Sequence, residues 1–423
     1  MNYFSNRLSR SIAGWILYDI GSSGYALLIP AVVFAVYYRQ IVCGGMAGCD
    51  ARWALLIALS LTVAGVLSPL LGAIADLGAL RHRIFTITTS ICCIATAGLY
   101  WVKPGDVALG GLLFFLAQTT YILSASLYDS YLPTLVPPQE VGRLSGWGWG
   151  LGYLGGLVCF FLTLPFIHNG METSHQAFFR LTFLVVGGFY FLIALPALSW
   201  LPAQSTQSIS PENTRQLVKA AYLRVLKSLQ NWQQTPEIFK FLLSYYLISD
   251  GIVTVVNFVS IYLSTQFGLT IAQIMNLTLL FNAIAIPSTI TVGILSDRFA
   301  AKTLLQFTLC LWAGIILLMT FGTNTSIPVC LALSLGLVVG STQSLCRSIF
   351  ARMIEANRTG EMFGFHALVS KMSAVLGPLT FGLVSSATGS QRLGILSLLV
   401  FFGLGGLMLT QVRIPLSKVL PLE

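Results

Sequence analysis

Uncharged apolar runs set the outer limit on what this chain can become. Trp53 to Ala75 carries no charge between Arg52 and Asp76, and Ile84 to Val102 carries none between Arg83 and Lys103. A helix needs about 20 apolar residues to cross the hydrocarbon core of a bilayer, and each run is long enough. With 56% hydrophobic and 9% charged residues, there is too little polar surface for a chain of soluble domains. No stretch shows the alternating apolar and polar residues of a membrane barrel. The reading is an all-α membrane protein of twelve transmembrane helices, at 12–38, 52–75, 84–102, 107–132, 144–167, 178–201, 238–265, 271–295, 303–322, 327–351, 363–388 and 391–412.

These spans fall into a six-helix bundle at 1–201, a polar linker at 202–237 and a second six-helix bundle at 238–423. The run from Gly14 to Tyr38 is too long for a signal-peptide core, and Asp19 interrupts it, so it reads as the first span. The linker predicts a helix near 212–232, in which Leu217, Ala220, Ala221, Leu226 and Leu229 face lipid while Arg215, Lys219, Arg224 and Lys227 face water. Such a helix either lies along the membrane surface or serves as a plain tether between bundles.

Lys and Arg set the orientation. With both termini and the linker in the cytoplasm, that side receives Arg81, Arg83, Arg143, Lys219, Arg224, Lys227, Arg298, Lys302, Arg352, Arg358, Arg413 and Lys418. The opposite side receives Arg39, Arg52, Lys103, Arg180 and Arg392. The net charge of +9 therefore reports topology and contact with anionic membrane lipids rather than nucleic acid. The expected location is a bacterial cytoplasmic (inner) membrane, with the chain acting as a monomer.

An internal repeat runs through the halves. Gly72-Ala-Ile-Ala-Asp76 and Gly293-Ile-Leu-Ser-Asp297 each close an apolar run before a basic turn. Asp129 lies over Arg347, and Gly142-Arg143-Leu-Ser-Gly146 over Gly360-Glu361-Met-Phe-Gly364, with the charged positions inverted in sign. Repeats at half-chain spacing are typical of transporters built from related bundles. No Gly-x-x-x-x-Gly-Lys-[Ser/Thr] occurs, so ATP is not expected as the direct energy source.

Ionisable residues within spans are costly and mark functional candidates. Asp250 lies roughly 16 Å into its helix, Asp19 roughly 10 Å and Lys371 roughly 12 Å. Asp250 and Asp19 either load a proton or bind a cationic group, or are tied permanently to neighbouring amides and hydroxyls. Lys371 either binds a substrate carboxylate or pairs with Asp19 or Asp250. Tyr18 and Tyr25, beside Asp19, and Trp149 and Tyr153, in the glycine-rich fifth span, are candidate cavity aromatics. The overlapping Gly-x-x-x-Gly of that span reads first as close helix packing. Asp129 and Arg347 read as gate residues at the inner mouth or as markers of the headgroup boundary. Arg143, Glu355, Arg358 and Glu361 read as solvated loop charges. Pro30, Pro69, Pro196, Pro287 and Pro378 are expected to interrupt helices.

Cys43 and Cys49 share the first outer loop, as a disulfide or as two free thiols. His168 and His175 have no other ligands nearby, so neither a metal site nor a cofactor is expected. No catalytic triad supports an enzyme.

Six-plus-six spans with Gly-x-x-x-Asp and a basic turn after the second and eighth resemble the major facilitator superfamily. Trp15-Ile-Leu-Tyr18-Asp19, Leu132-Pro133, Gly142-Arg143-Leu-Ser-Gly146, Arg347-Ser-Ile-Phe-Ala-Arg352 and Phe363-Gly-Phe365 with Lys371 and Gly377-Pro378 are similar to the vacuole-effluxer family within it. The resemblance implies secondary active transport by alternating access, and for fungal members export of neutral amino acids from the vacuole. It also implies that Asp76 latches the inner side near the start of the eleventh helix. The superfamily's Asp-Arg pair reads Asp76-Leu77 here, whereas Asp297-Arg298 keeps it. Together these point to a proton-coupled facilitator of a small polar metabolite, a neutral amino acid being the leading class, with Asp76, Asp297, Arg298, Asp129 and Arg347 at the gates. The alternatives are export of an amphipathic lipid-like or drug-like molecule, or a membrane receptor or scaffold that does not transport.

Overall fold

The computed structural model describes residues 6–45, 48–167, 170–171, 174–203 and 211–414; His168, linker residues 204–210 and Lys418 lie outside the described residues. Among the described residues, twelve helices are long and apolar enough to cross a membrane. In chain order they are Ser9–Val42, Cys49–Leu77, Arg81–Trp101, Val107–Leu135, Val141–Ile167, Gln176–Trp200, Pro236–Phe267, Gln273–Arg298, Ala301–Phe321, Ile327–Met353, Ala356–Thr388 and Gln391–Gln411. Each overlaps one of the twelve spans read from the sequence. Large apolar side chains such as Ile94, Leu192 and Phe321 are left exposed on these helices, as lipid-facing residues must be.

The chain forms two compact units. The first comprises Met1–Tyr131, Leu151–Lys227 and Asn357–Leu368, and the second comprises Leu132–Gly150, Ser228–Ala356 and Val369–Glu423. Each unit thus contains a short segment from the opposite half of the sequence. In the first unit the first span packs on the sixth, and the fourth packs on both the second and third. In the second unit the seventh packs on the twelfth, and the tenth packs on both the eighth and ninth. The duplication read from short phrases is therefore also a duplication of packing partners.

Buried aromatics fill both interiors. Trp15 stacks on Tyr128 with ring centroids 4.5 Å apart and donates its indole N–H to the Tyr128 carbonyl at 3.1 Å. In the second unit Trp312 stacks on Phe402 at 5.0 Å and donates to Thr342 Oγ1 at 3.0 Å. Each indole thereby meets the polar partner that a buried Trp requires.

The expectation that five prolines interrupt helices needs correction. Pro69, Pro196 and Pro287 sit inside continuous helices. Pro30 lies in a π-helical turn, Ile29–Val33, which absorbs its missing N–H without ending the span. The one break within the eleventh span falls at residues 373–375, between helices Thr359–Met372 and Leu376–Thr388. Pro378 follows that break, in the first turn of the second piece, where a missing N–H costs little.

Candidate functional site

In the first unit, consecutive residues of the first span take opposite roles. Tyr18 is buried, donating its hydroxyl to Ser124 Oγ at 2.8 Å and accepting from the Tyr190 hydroxyl at 2.8 Å. Tyr25 is buried as well and donates to Gln118 Oε1 at 3.0 Å. These two candidates are therefore parts of the packed interior, with their phenols satisfied there. Asp19, about 100° further around the helix, is only half-buried. Its Oδ2 accepts from the Tyr128 hydroxyl at 3.1 Å, and Ser23 Oγ donates to its backbone carbonyl at 2.7 Å. Tyr121 and Tyr153, also half-buried, lie within electrostatic reach of the carboxylate. The absence of a side chain at Gly152 keeps the fifth span close: a Cβ there would stand 3.8 Å from Asp19 Cγ. The result is a carboxylate among aromatic rings, an arrangement suited to an ammonium group.

In the second unit the deep carboxylate is used differently. Asp250, 0% exposed on the seventh span, accepts a hydrogen bond on Oδ1 from the Gly377 N–H at 2.8 Å. Gly377 opens the second piece of the broken eleventh span, so Asp250 satisfies one of the donors that a helix start leaves over. Its Oδ2 is buried without a hydrogen bond among the described residues. Lys371, half-buried, occupies the last turn of the first piece. An acid at the helix start and a base at the preceding helix end each complement the local dipole.

The two Gly-x-x-x-Asp phrases build a pair of helix clamps. Glycine and aspartate four apart share one helix face, a turn from each other. In the second unit Gly293 lets the fifth span approach so closely that a Cβ would lie 2.6 Å from the Gly146 Cα. One turn on, Asp297 accepts from the backbone N–H groups of Gly142 at 2.8 Å and Arg143 at 2.7 Å. In the first unit a Cβ on Gly360 would lie 2.7 Å from the Gly72 carbonyl oxygen. Asp76 there accepts from the N–H groups of Gly360 and Glu361, both at 3.0 Å. Gly142 and Gly360 are the residues that the internal repeat superimposes.

The arginine partners differ from those expected. Arg298, next to Asp297 in sequence, is exposed, because adjacent helical residues point in different directions. Arg352 supplies the charge instead, with Nη2 2.6 Å from Asp297 Oδ1 and further donations to the Pro138 and Ser296 carbonyls. Asp76, which lacks an arginine neighbour in sequence, is met by Arg81 at 3.0 Å, and Arg81 also donates to Thr359 Oγ1 at 2.5 Å.

Glu361 overturns its assignment as a solvated loop charge. It is 0% exposed and accepts from Arg224 Nε at 2.7 Å and Arg358 Nη2 at 3.0 Å. Arg224, expected to face water on the linker helix, is thus turned inward. An acid in the first turn of Thr359–Met372 is itself a usable signal, since negative charge is favoured there. What the sequence lacks is any sign of the linker arginine. Elsewhere, Arg347 is buried in the second unit, donating to Ser145 Oγ at 3.0 Å and the Ser145 carbonyl at 2.9 Å, with its guanidinium 5.7 Å from the ring centre of half-buried Trp149. Asp129 ends a helix, Val107–Asp129, half-buried in the first unit. Cys43 and Cys49 are joined as a disulfide beside an exposed ion pair of Arg39 and Asp50.

Residues 49–142 and 138–419 match the family described as "Vacuole effluxer Atg22 like". A Bacillus subtilis (strain 168) protein described as an uncharacterized MFS-type transporter, YxiO, is 25% identical over 96% of this chain and 95% of its own. Autophagy-related protein 22-1 of Penicillium rubens is 21% identical over 84% of this chain and 74% of its own. Among solved structures, the proton:xylose symporter XylE superposes with a TM-score of 0.74 at 12% identity, covering 97% of this chain and 96% of that one. That likeness shows the twelve-helix major facilitator fold.

Proposed function

The chain belongs to the vacuole effluxer Atg22-like family, and we propose that it is a secondary active transporter that moves a small polar metabolite of the neutral amino-acid class by alternating access, coupled to protons. The observation that carries the cargo class is Asp19: a half-buried carboxylate in mid-span, held by the Tyr128 hydroxyl among aromatic rings. Such a group matches an α-ammonium, and intramembrane acids that face a pathway are the usual way of binding one.

Asp250 carries the coupling. Its Oδ1 accepts from the Gly377 N–H, whereas Oδ2 makes no hydrogen bond among the described residues, so a proton can load on Oδ2 without disturbing the cap. Lys371 then serves the substrate carboxylate, and Asp129 and Arg347 act at the gate together with the clamps. The excess of Lys and Arg favours a cytoplasmic location for both termini and for both clamps, in a bacterial inner membrane. Each clamp holds a helix start until its carboxylate lets go, an ion-pair exchange of the kind that suits rocking transporters.

Counterflow in proteoliposomes tests the cargo. Labelled neutral amino acids, leucine and tyrosine first, should exchange against unlabelled ones, and Asp19→Asn should abolish that exchange. A flat response across an amino-acid panel would remove the assignment. Asp250→Asn keeps an acceptor for Gly377 but cannot titrate, so it should retain exchange and lose proton-driven accumulation. Unaltered accumulation would sink the coupling role.

A further inference from the structure

The linker helix, Pro211–Gln230, carries two apolar stripes, and the protein uses only one. At about 100° per residue, Leu217, Ala221 and Arg224 share a face. Ala221 is buried, Leu217 packs beside Gly78, and Arg224 holds Glu361. Roughly a third of a turn away, Val218, Tyr222 and Leu229 form a second stripe that is exposed. Arg215 and Lys219 flank that stripe and Lys227 lies across the helix; all three are exposed.

From this we infer that the exposed stripe docks on an anionic phospholipid surface, with Val218, Tyr222 and Leu229 entering the headgroup boundary and Arg215 and Lys219 meeting phosphate. Two features of the chain favour this occupant. The helix is tethered at short range to a membrane span, since only residues 231–235 separate it from Pro236–Phe267. Its charge is complementary, because an apolar stripe edged by Lys and Arg is the pattern of a helix lying in an anionic interface.

The opposite face gives the docking a consequence. Arg224 reaches both the buried Glu361 carboxylate and the Asn357 carbonyl, at 2.7 and 3.1 Å. Glu361 also donates its N–H to Asp76. Lipid that fixes the helix therefore fixes one of the groups holding the Asp76 clamp. The inference concerns the lipid surface and stands whatever the cargo proves to be.

Hydrogen exchange on the full-length protein in nanodiscs tests it without a transport assay. Amides of 211–230 should exchange more slowly in discs containing phosphatidylglycerol than in phosphatidylcholine alone. A basic side chain near an anionic surface strengthens binding by about fivefold. The double variant Arg215→Gln, Lys219→Gln should therefore erase the lipid difference while leaving exchange in the spans unchanged. Arg224→Gln should keep the lipid difference and speed exchange at residues 359–362. Equal exchange in the two lipids, a lipid effect that survives the double variant, or protection that follows protein concentration instead of lipid would each overturn the proposal, the last by assigning the stripe to a second copy of the chain.

Discussion

The two helix clamps are built on one plan and wired differently. Asp297 and Asp76 each accept two consecutive backbone N–H groups at a helix start, and each follows a glycine that lets two backbones approach. Beyond that, little is shared. The Asp297 clamp takes its arginine from the tenth span, and the pair keeps some exposure, 13% for Arg352 and 12% for Asp297. The Asp76 clamp takes Arg81 from the start of the third span, and the pair is nearly closed off, at 6% and 2%. Where the first repeat has exposed Arg143, the second has buried Glu361 gripped by the linker helix. Capping a helix start fixes backbone geometry, whereas the neutralising charge has several routes to the same point. Duplication has kept the first and exchanged the second.

Substitutions rank this difference. Arg81→Ala leaves a buried carboxylate without its cation and should cost about 3–5 kcal/mol, giving the largest fall in thermal unfolding temperature of the set. The same change at Arg352 should cost about 1–3 kcal/mol, since water reaches that pair. Equal losses would break the contrast between a closed and an open clamp. Gly360→Ala and Gly142→Ala should each cost about 1–3 kcal/mol by overpacking, because the clash at Gly360 is with the Gly72 carbonyl and the Asp76 carboxylate, and at Gly142 with the Ser296 hydroxyl and the Asp297 carboxylate. Asp76→Asn and Asp297→Asn retain an acceptor and lose the charge that favours a helix start; each should lower stability by up to about 2 kcal/mol, measured by the same unfolding scan. Arg298→Gln should fall within about 0.5 kcal/mol of the parent despite its place in the motif. A large loss there would restore Arg298 as the partner of Asp297.

A parallel contrast separates the deep acids. Asp19 faces a continuous fifth span and remains among phenols, whereas Asp250 faces a broken eleventh span and caps it. Asp250→Ala should therefore destabilise the second unit by about 1–3 kcal/mol through the orphaned Gly377 N–H, whereas Asp250→Asn should not. Asp19→Asn should alter cargo exchange with little effect on unfolding.

The spans are legible because a charge in mid-membrane is expensive, so long apolar runs with few or no charges mark them. The clamp carboxylates were legible because glycine and aspartate at a one-turn spacing must share a face. Their arginines were not. Arg352 lies 55 residues from Asp297, and the motif's adjacent arginine points elsewhere. Glu361 reads as solvated because polar Asn357, Arg358 and Thr359 lead up to it, and the cation that buries it is 137 residues away. The break at 373–375 was equally hidden. Proline, the usual sign, lies beyond it, while the group that caps it is Asp250, 127 residues upstream in another span. Local propensity marks where a chain is able to turn; distant partners decide where it does.

The crossing of Gly293 and Gly146 has a genetic consequence. Contacts between side chains can be repaired: when one grows, its neighbour can shrink. At this crossing neither side has anything left to remove, since both are already glycine and the approach is backbone to backbone. A screen for revertants of a bulky Gly293 substitution should accordingly recover changes back to glycine at 293, and no second-site change at position 146.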